Sequence, residues 1–528
     1  MSAVAAEAGA IPVRPANAST AAWIAVAAGS LGALMASLDI SITNSALPQI
    51  QGEVGATGTE GTWIGTGYLV SEIVMIPLTA WLTRVLGLRT LLLGCGMLFI
   101  LFSLVCGLSH TLAWMIVGRV GQGFTGGAMI PTAQTIVATR LPKHQQPVGM
   151  TVFGLIVLLG PLIGPLIGGS LAEHISWRWC FFINLPVGAG LIALLLLGLG
   201  RDRSDLKSLR RADWLGVLGL SVGLSCLTIV LEEGQRERWF ESRMIVELAI
   251  ASVIGIAVLI VAQFTAREPV VNLRLLLNRS YAGVLVLITC VGAVLYGVLY
   301  LLPQFLSGVA GYNAEQSGWV MLIGGAPAFL MVPILPPLLA RVNLRILIAV
   351  GLVLLAVSCF IDTGLTAQSA GGDFTLSQIL RGMGQVLCMF PLNQASVAAV
   401  GPELAGEAAG LYNMGRNLGG SIGLASLGAV IDRREALHVD AVRETVSANS
   451  PLVQERLAGM AQSFTTGHGD AAYGQLQALR QLAAGIGRQA MVMTFSDAFW
   501  GLAMLLILCL PLVFLVKSPR TGAAVMGH

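Results

Sequence analysis

Apolar runs of about twenty residues, divided by short polar connectors, repeat along almost the whole chain. A bilayer core needs roughly twenty apolar residues per helix. On that rule the pattern predicts spans near 21–43, 62–83, 88–108, 112–136, 147–170, 177–200, 212–231, 244–265, 281–302, 316–339, 346–365, 376–398, 407–431 and 492–516. That is fourteen, the pair at 212–265 being the least sharply patterned, and an even count puts both termini on one side. The segment 432–490 departs from this rhythm. Leu452, Val453, Leu457 and Met460, then Leu476, Leu479, Leu482 and Ile486, recur at helical spacing. Gly467-His468-Gly469 is expected to divide the segment into two amphipathic helices outside the membrane.

Basic residues choose the side. With the N-terminus inside, the inner segments hold seventeen Lys and Arg (Arg14, Arg84, Arg89, Arg140, Lys143, Arg201, Arg203, Lys207, Arg210, Arg211, Arg267, Arg274, Arg279, Arg341, Arg345, Lys517 and Arg520). The short outer loops hold four, Arg178, Arg236, Arg238 and Arg243. This asymmetry puts the inner side in the cytoplasm; the six basic residues of 432–490 weigh little, because long segments translocate largely regardless of charge. Three arginines, 119, 381 and 416, fall within spans.

Composition agrees with a lipid setting: of 528 residues 55% are hydrophobic and 11% charged, against about 25% charged in a soluble protein. A net charge of +3 gives no reason to expect nucleic acid. The eight cysteines stand singly with no CxxC pair, so neither a disulfide framework nor a zinc site is indicated. No cleavable signal is evident, and the first apolar run reads as a retained span. Gly121-Gln-Gly-Phe-Thr-Gly126 and Gly419-Gly-Ser-Ile-Gly423 match a dinucleotide fingerprint and a nucleophile elbow, but both require a preceding strand and both lie in apolar helices. There is no HExxH and no GxxxxGK[ST] loop, so an enzyme is not expected, no cofactor is called for, and energy is expected from an ion gradient.

Four features carry candidate chemistry. In Gly160-Pro-Leu-Ile-Gly-Pro-Leu-Ile-Gly-Gly169, Gly160, Gly164 and Gly168 share one helix face, with Pro161, Pro165 and Gly169 on the adjacent stripe. The glycines let a neighbouring backbone approach; the prolines free the carbonyls of Val157 and Pro161 and bend the helix. Such backbone is tolerated in lipid only where protein or a water-filled cavity covers it. The expectation is a seam that slides or pivots as two repeats rock, rather than a static one. Asp39 lies deep in the first span, where a carboxylate costs about 3 kcal/mol on insertion scales. Burial disfavours the charged form of a carboxylate, which fits a proton carrier; a permanent ion pair with Arg119 is the structural alternative. Glu72 in the second span either binds protons, contacts cationic substrates or lines a polar wall. Arg119 is expected to pair with an acid or with neighbouring carbonyls, for coupling or for assembly. Asp362 and Asp497, at outer helix ends, are expected to be solvated. Finally, Arg119-Val-Gly-Gln-Gly has a looser echo in Arg381-Gly-Met-Gly-Gln, which points to two related halves.

Together these motifs resemble the major facilitator superfamily, specifically the fourteen-span drug:proton antiporters of the EmrB/QacA type. Leu38-Asp-Ile-Ser-Ile-Thr-Asn44-Ser-Ala-Leu-Pro48 resembles the family's first-span motif, Arg119 to Gly127 its fourth-span motif and Gly160 to Gly169 its fifth-span antiporter motif. Trp177-Arg-Trp179 with Phe182-Ile-Asn184-Leu-Pro186, and Arg416-Asn-Leu-Gly-Gly-Ser-Ile-Gly423, add two more. The resemblance implies an all-α membrane fold of two six-helix bundles with two additional central helices. It divides the chain into a cytoplasmic tail 1–20, a bundle 21–200, linkers and the extra pair 201–280, a bundle 281–516 with the periplasmic insertion 432–490, and a tail 517–528. It implies proton coupling through Asp39, Glu72 and Arg119. It implies a substrate cavity or gate drawn from Asn44, Gln122, Asn184, Arg416 and the 160–169 motif, and a cytoplasmic gating loop of Arg84, Gly87 and Arg89. Thr83 stands where much of the superfamily has aspartate, so a charge lock there is expected to be weaker or differently arranged. The implied activity is proton-coupled export of hydrophobic or amphipathic toxic compounds across a bacterial inner membrane, with a periplasmic adaptor and an outer-membrane channel as partners. An ion-driven importer or exporter of one metabolite is the alternative.

Overall fold

The computed structural model describes residues 17–517, apart from 58–59, 201–203, 206–211, 267–268, 332, 401, 447–449 and 469–470. Arg14, Arg201, Arg203, Lys207, Arg210, Arg211, Arg267, Gly469, Arg520 and most of both predicted tails therefore lie outside the described residues. The described residues form helices: α1 Thr20–Val54, α2 Trp63–Leu86, α3 Leu88–Gly107, α4 Leu112–Gly126, α5 Met129–Arg140, α6 Gln146–His174, α7 Trp179–Phe182, α8 Asn184–Gly198, α9 Trp214–Glu233, α10 Arg243–Thr265, α11 Arg279–Gly308, α12 Ala314–Met331, α13 Leu335–Arg341, α14 Leu344–Ile361, α15 Thr375–Val400, α16 Ala405–Thr445, α17 Pro451–His468 and α18 Ala471–Cys509.

Every predicted span is occupied by helix. Ten helices among the described residues are long and apolar enough to cross a membrane, or eleven if α12 and α13 count as one bent span. The three predicted spans that miss this test are α4 with α5, α15 and α16. They carry the three intramembrane arginines, and their Ser, Gln, Asn and Arg side chains lower the apolar content that the test reads. Those polar positions are buried among other helices (Gln122, Gln378, Arg381 and Asn413 are all enclosed), so the helices need not be apolar all round.

Two cores organise the bundle. One gathers α1, α2, α3, α5, α6 and α8, with α9 and α10, around Met35, Tyr68, Phe99 and Leu191; the other gathers α11, α14, α15, α16 and α18 around Leu287, Phe305, Leu352 and Phe499. The extra pair packs on itself through glycines, with Gly219 against the backbone of Leu259, Gly223 facing Gly255, and the Ser252 hydroxyl donating to Gly223 O at 2.9 Å. The described chain ends lie at the same end of the bundle. Ala18 N donates to Gln145 Oε1 (2.9 Å), Asp205 N to Val85 O (2.9 Å) and Lys517 N to Ser280 Oγ (2.8 Å).

The expected outer segment takes a different form. Its first part is no separate helix, because α16 runs unbroken for 41 residues, about 60 Å at 1.5 Å per residue. Its last part is the beginning of α18, which continues into the predicted final span for 39 residues. Only α17 stands alone, packed along α18. The expected division at Gly467-His468-Gly469 is where α17 ends, at His468, and α18 begins, at Ala471. No proline interrupts the sequence at the predicted membrane boundaries near 431 and 492, so each helix runs through and hydropathy marks an edge that the backbone does not.

Candidate proton-coupling and gating site

The fourth-span motif is built to bring α4 hard against its neighbours. A side chain at Gly118 would strike Cys106, at Gly121 the Phe102 ring, and at Gly123 the carbonyl of Tyr68. Small residues thus set the backbone distance, and Arg119 and Gln122 are carried into the interior. There Asp39 of α1 receives three donors: Arg119 Nη1 at 2.5 Å, Asn184 Nδ2 of α8 at 2.6 Å and Gln122 Nε2 at 3.0 Å. Ser103 Oγ of α3 accepts from Gln122 at 2.9 Å and Asn184 at 3.2 Å. Arg119 Nε donates to Ile64 O of α2 at 3.1 Å, and its guanidinium lies 4.4 Å over the Tyr68 ring. Asp39 is 0% and Arg119 1% exposed, so the pair is sealed from solvent.

Both pairings expected of Arg119, an acid and a neighbouring carbonyl, are present together. Asn184 and Gln122, implied by resemblance as cavity or gating residues, both donate to Asp39. Asn44 does not join them: it is exposed, on the side of α1 opposite the buried Ile42, Ala46 and Ile50. Tyr68, Ser103 and Cys106 are network members that the sequence reading did not single out, because uncharged residues in apolar spans carry no hydropathy signal.

Glu72 lies apart from this network. It is buried, no hydrogen bond reaches it from any described residue, and Arg416 is the cation acting on it most strongly, with Arg119 second. It opens onto a cavity of about 30 Å³ whose lining includes Glu232 of α9, Tyr296 of α11, and Asn417 and Ser421 of α16. That volume holds one or two waters. Arg416 is half-buried, with Asn417 Oδ1 at 3.3 Å. Glu232 was missed because the predicted span 212–231 stopped one residue short and left it in a loop.

The C-terminal half has its own buried pair. Arg381 Nη2 of α15 meets Asp362 Oδ2 at 2.5 Å, and Asp362 is 1% exposed. The expectation that Asp362 is solvated is therefore corrected: the end of α14 turns inward and the arginine compensates the acid. Asp497 is not free either; it accepts from Arg434 Nε at 2.7 Å and pairs with His438 Nε2 at 2.6 Å, joining α18 to α16.

The 160–169 motif packs as its glycine spacing requires, but elsewhere than expected. A Cβ at Gly160 would come within 2.6 Å of Ser37 Oγ, one at Gly164 would strike Ser41, and one at Gly168 would lie 2.6 Å from Ile42 O. The seam is therefore against α1, the helix that carries Asp39, inside one half. The expectation that these glycines form the seam between the rocking repeats is corrected. The carbonyl freed by Pro161 is satisfied by the Ser37 hydroxyl, which reaches Val157 O at 3.5 Å. Pro161 is exposed, Pro165 is half-buried, and nothing stands within 4 Å of a Cβ at Gly169. Contact with the other half comes from a third stripe, where Gly154 meets Phe390 and Leu162 meets Gly325.

In the loop between α2 and α3, Gly87 holds φ 83° and ψ 148°, backbone territory nearly closed to other residues. Arg84 forms an ion pair with Glu407 at the start of α16, in the opposite half. Nearby, Asn413 Nδ2 donates to Gln134 Oε1 at 2.8 Å, and Ala408 and Leu411 enter the core of the first half beside Trp81 and Val85. The two halves thus close on each other at the end that holds the chain termini. Among the described residues Thr83 donates to its own helix, at Thr79 O (2.7 Å), and the charged contact from this loop to the other half is Arg84–Glu407. Arg89 sits half-buried at the start of α3.

Two helical halves closing at one end, a sealed acid–arginine pair in each, and a water-sized acidic cavity where they meet define a multi-pass membrane transporter. Residues 29–424 match the Major Facilitator Superfamily, and the chain belongs to it. It is 31% identical to the colistin resistance protein EmrB of Acinetobacter baumannii over 92% of this chain and 94% of that protein. It is likewise 31% identical to the multidrug export protein EmrB of Escherichia coli K12, over 93% and 94%. Among solved structures, the proton:xylose symporter XylE superposes with a TM-score of 0.60 at 12% identity, covering 95% of this chain and 97% of that one. The human organic anion transporter MFSD10 superposes at 0.59 with 16% identity, covering 92% and 99%. These superpositions establish the two-bundle fold.

Proposed function

We propose that this chain is a proton-driven exporter of hydrophobic or amphipathic toxic compounds, working by alternating access in a bacterial inner membrane with both termini in the cytoplasm. The observation that carries the reading is the Asp39–Arg119 pair. A fully buried carboxylate whose charge is balanced by one arginine is a two-state element: with the proton absent the pair ties α1 to α4, and with the proton present the tie loses its Coulomb term. Arg119 keeps Ile64 O and Gln122 in either state, so protonation loosens one helix pair without stranding the cation. Because α1 also forms the wall against Gly160, Gly164 and Gly168, a shift at Asp39 passes directly to α6, whose third stripe meets the other half. The relatives named as multidrug export proteins support the substrate class, and the excess of basic residues on the terminal side supports the orientation.

Everted vesicles test the reading. Substrate addition to acid-loaded vesicles should release protons from the lumen; co-movement of substrate and protons in one direction points instead to import. We further propose that the α16–α17–α18 projection engages a periplasmic adaptor that leads to an outer-membrane channel. Deleting 440–480 should abolish resistance in cells while substrate still binds the purified protein; unchanged resistance removes the partner.

A further inference from the structure

The inserted helix α9 ends on two adjacent acids that grip opposite halves of the molecule. Glu233 is held to the N-terminal half: Thr66 Oγ1 of α2 donates to it at 2.6 Å, Thr62 Oγ1 at 3.3 Å, and Arg236 Nη1 pairs with it at 3.0 Å. Glu232 is held to the C-terminal half by one bond, from Ser421 Oγ of α16 at 2.6 Å. The next turn repeats the division, with Arg236 on Thr62 and Gln235 on Asp432 of α16.

The two acids differ in compensation. Glu233 has a guanidinium; Glu232 has a hydroxyl and no cation bonded to it among the described residues. It faces the cavity lined also by Glu72, which is 3% exposed and without a hydrogen-bond partner. The groups facing Glu232 are Glu72 from α2, Tyr296 from α11, and Ser421 and Asn417 from α16, with Glu233 beside it in sequence. Arg416 is the cation nearest in effect, and it acts on Glu72. Two carboxyl groups therefore border a water-sized space, with Arg416 and then Arg119 acting on Glu72 and no cation bonded to Glu232 among the described residues, at the junction of both halves and the inserted pair. Glu232 is half-buried, and a partly desolvated carboxylate set beside a second, buried one takes up a proton more readily, through both lost hydration and like charge.

We propose that Glu232 is a proton-binding residue of the transport cycle, a second site separate from Asp39, and that its bond with Ser421 is the proton-sensitive contact between α9 and the C-terminal half. Protonation turns a charge-assisted bond into a neutral one of roughly half the strength, whereas the Glu233–Arg236 anchor is unaffected. α9 then stays with α2, while its hold on α16 weakens to the neighbouring Gln235–Asp432 contact. This inference rests on the proton-coupled reading, and its test separates the two.

The experiment is infrared difference spectroscopy of the full-length protein in lipid, stepped between mildly acidic and neutral pH, with no substrate required. Wild type minus Glu232→Gln should contain one titrating carboxylic-acid C=O band. Glu232→Asp should restore it, and Ser421→Ala should shift its frequency. In everted vesicles Glu232→Gln should lose most of the stimulation of efflux by a pH gradient. Identical pH-difference spectra for wild type and Glu232→Gln overturn the inference while leaving proton antiport through Asp39 intact. If Glu232→Gln fails to accumulate, an unchanged band in Ser421→Ala overturns it instead. Wild-type vesicles without proton-driven efflux sink the antiport reading, and the spectra still decide whether Glu232 titrates.

Discussion

At the residue scale, the deciding feature is that one carboxylate holds α1, α4 and α8 together while Arg119 keeps alternative partners. The two members of the pair should therefore behave differently when removed. Arg119→Ala leaves Asp39 buried without its cation, and breaking a buried pair this way costs about 3–5 kcal/mol; thermal unfolding in detergent should show a clear loss of stability. Asp39→Asn keeps one of the two acceptor oxygens that Arg119, Gln122 and Asn184 share, but cannot exchange a proton. Substrate binding should persist, while gradient-driven efflux and substrate-induced proton release should both disappear. Wild-type pH-dependent efflux in Asp39→Asn would falsify the carrier assignment and pass it to Glu72.

At the element scale, the 160–169 motif separates what a sequence states from what it leaves out. The four-residue glycine spacing determines that one face is bare, and the structure uses that face for close contact. The spacing does not say which helix fills it, and the partner is α1 rather than the opposite half. Asp39 and Arg119 were legible because charge in an apolar run is conspicuous, and their pairing follows from the cost of leaving either alone. Glu232 and Asp362 were not, because each sits at a span end where hydropathy cannot tell an inward turn from a loop. The contrast within the motif can be measured. Gly164→Leu drives a side chain into Ser41 and the backbone of Ile42, and such overpacking costs about 1–3 kcal/mol or more. At Gly169 a Cβ meets nothing within 4 Å, so Gly169→Leu starts from open space. Transport per molecule of expressed protein should collapse in the first variant and stay near wild type in the second. Equal activity in both would show that the seam is not closely packed.

At the scale of the whole molecule, the two halves meet at the terminal end through a small set of contacts, and these must separate if the site is to open there. Arg84–Glu407 is the charged one. Arg84 is half exposed, and exposed pairs contribute only about 0–1 kcal/mol. Glu407 is different: its side chain is 9% exposed and its Oε2 has no partner, so Arg84 compensates an acid that water barely reaches. Neutralising the two members should thus not be equivalent. Arg84→Gln leaves Glu407 poorly solvated in the closed form and favours separation, whereas Glu407→Gln removes that burden and costs only the weak pair. A cysteine introduced at Asn413, which faces Gln134 across the interface, reports separation through its rate of maleimide labelling from the terminal side. Arg84→Gln should raise that rate roughly fivefold per kcal/mol lost from the closed form. Glu407→Gln should change it far less, and adding Glu407→Gln to Arg84→Gln should return the rate toward wild type. Equal acceleration by both single variants would mean that the lock is an ordinary surface pair and that closure rests on the apolar contacts of Ala408 and Leu411.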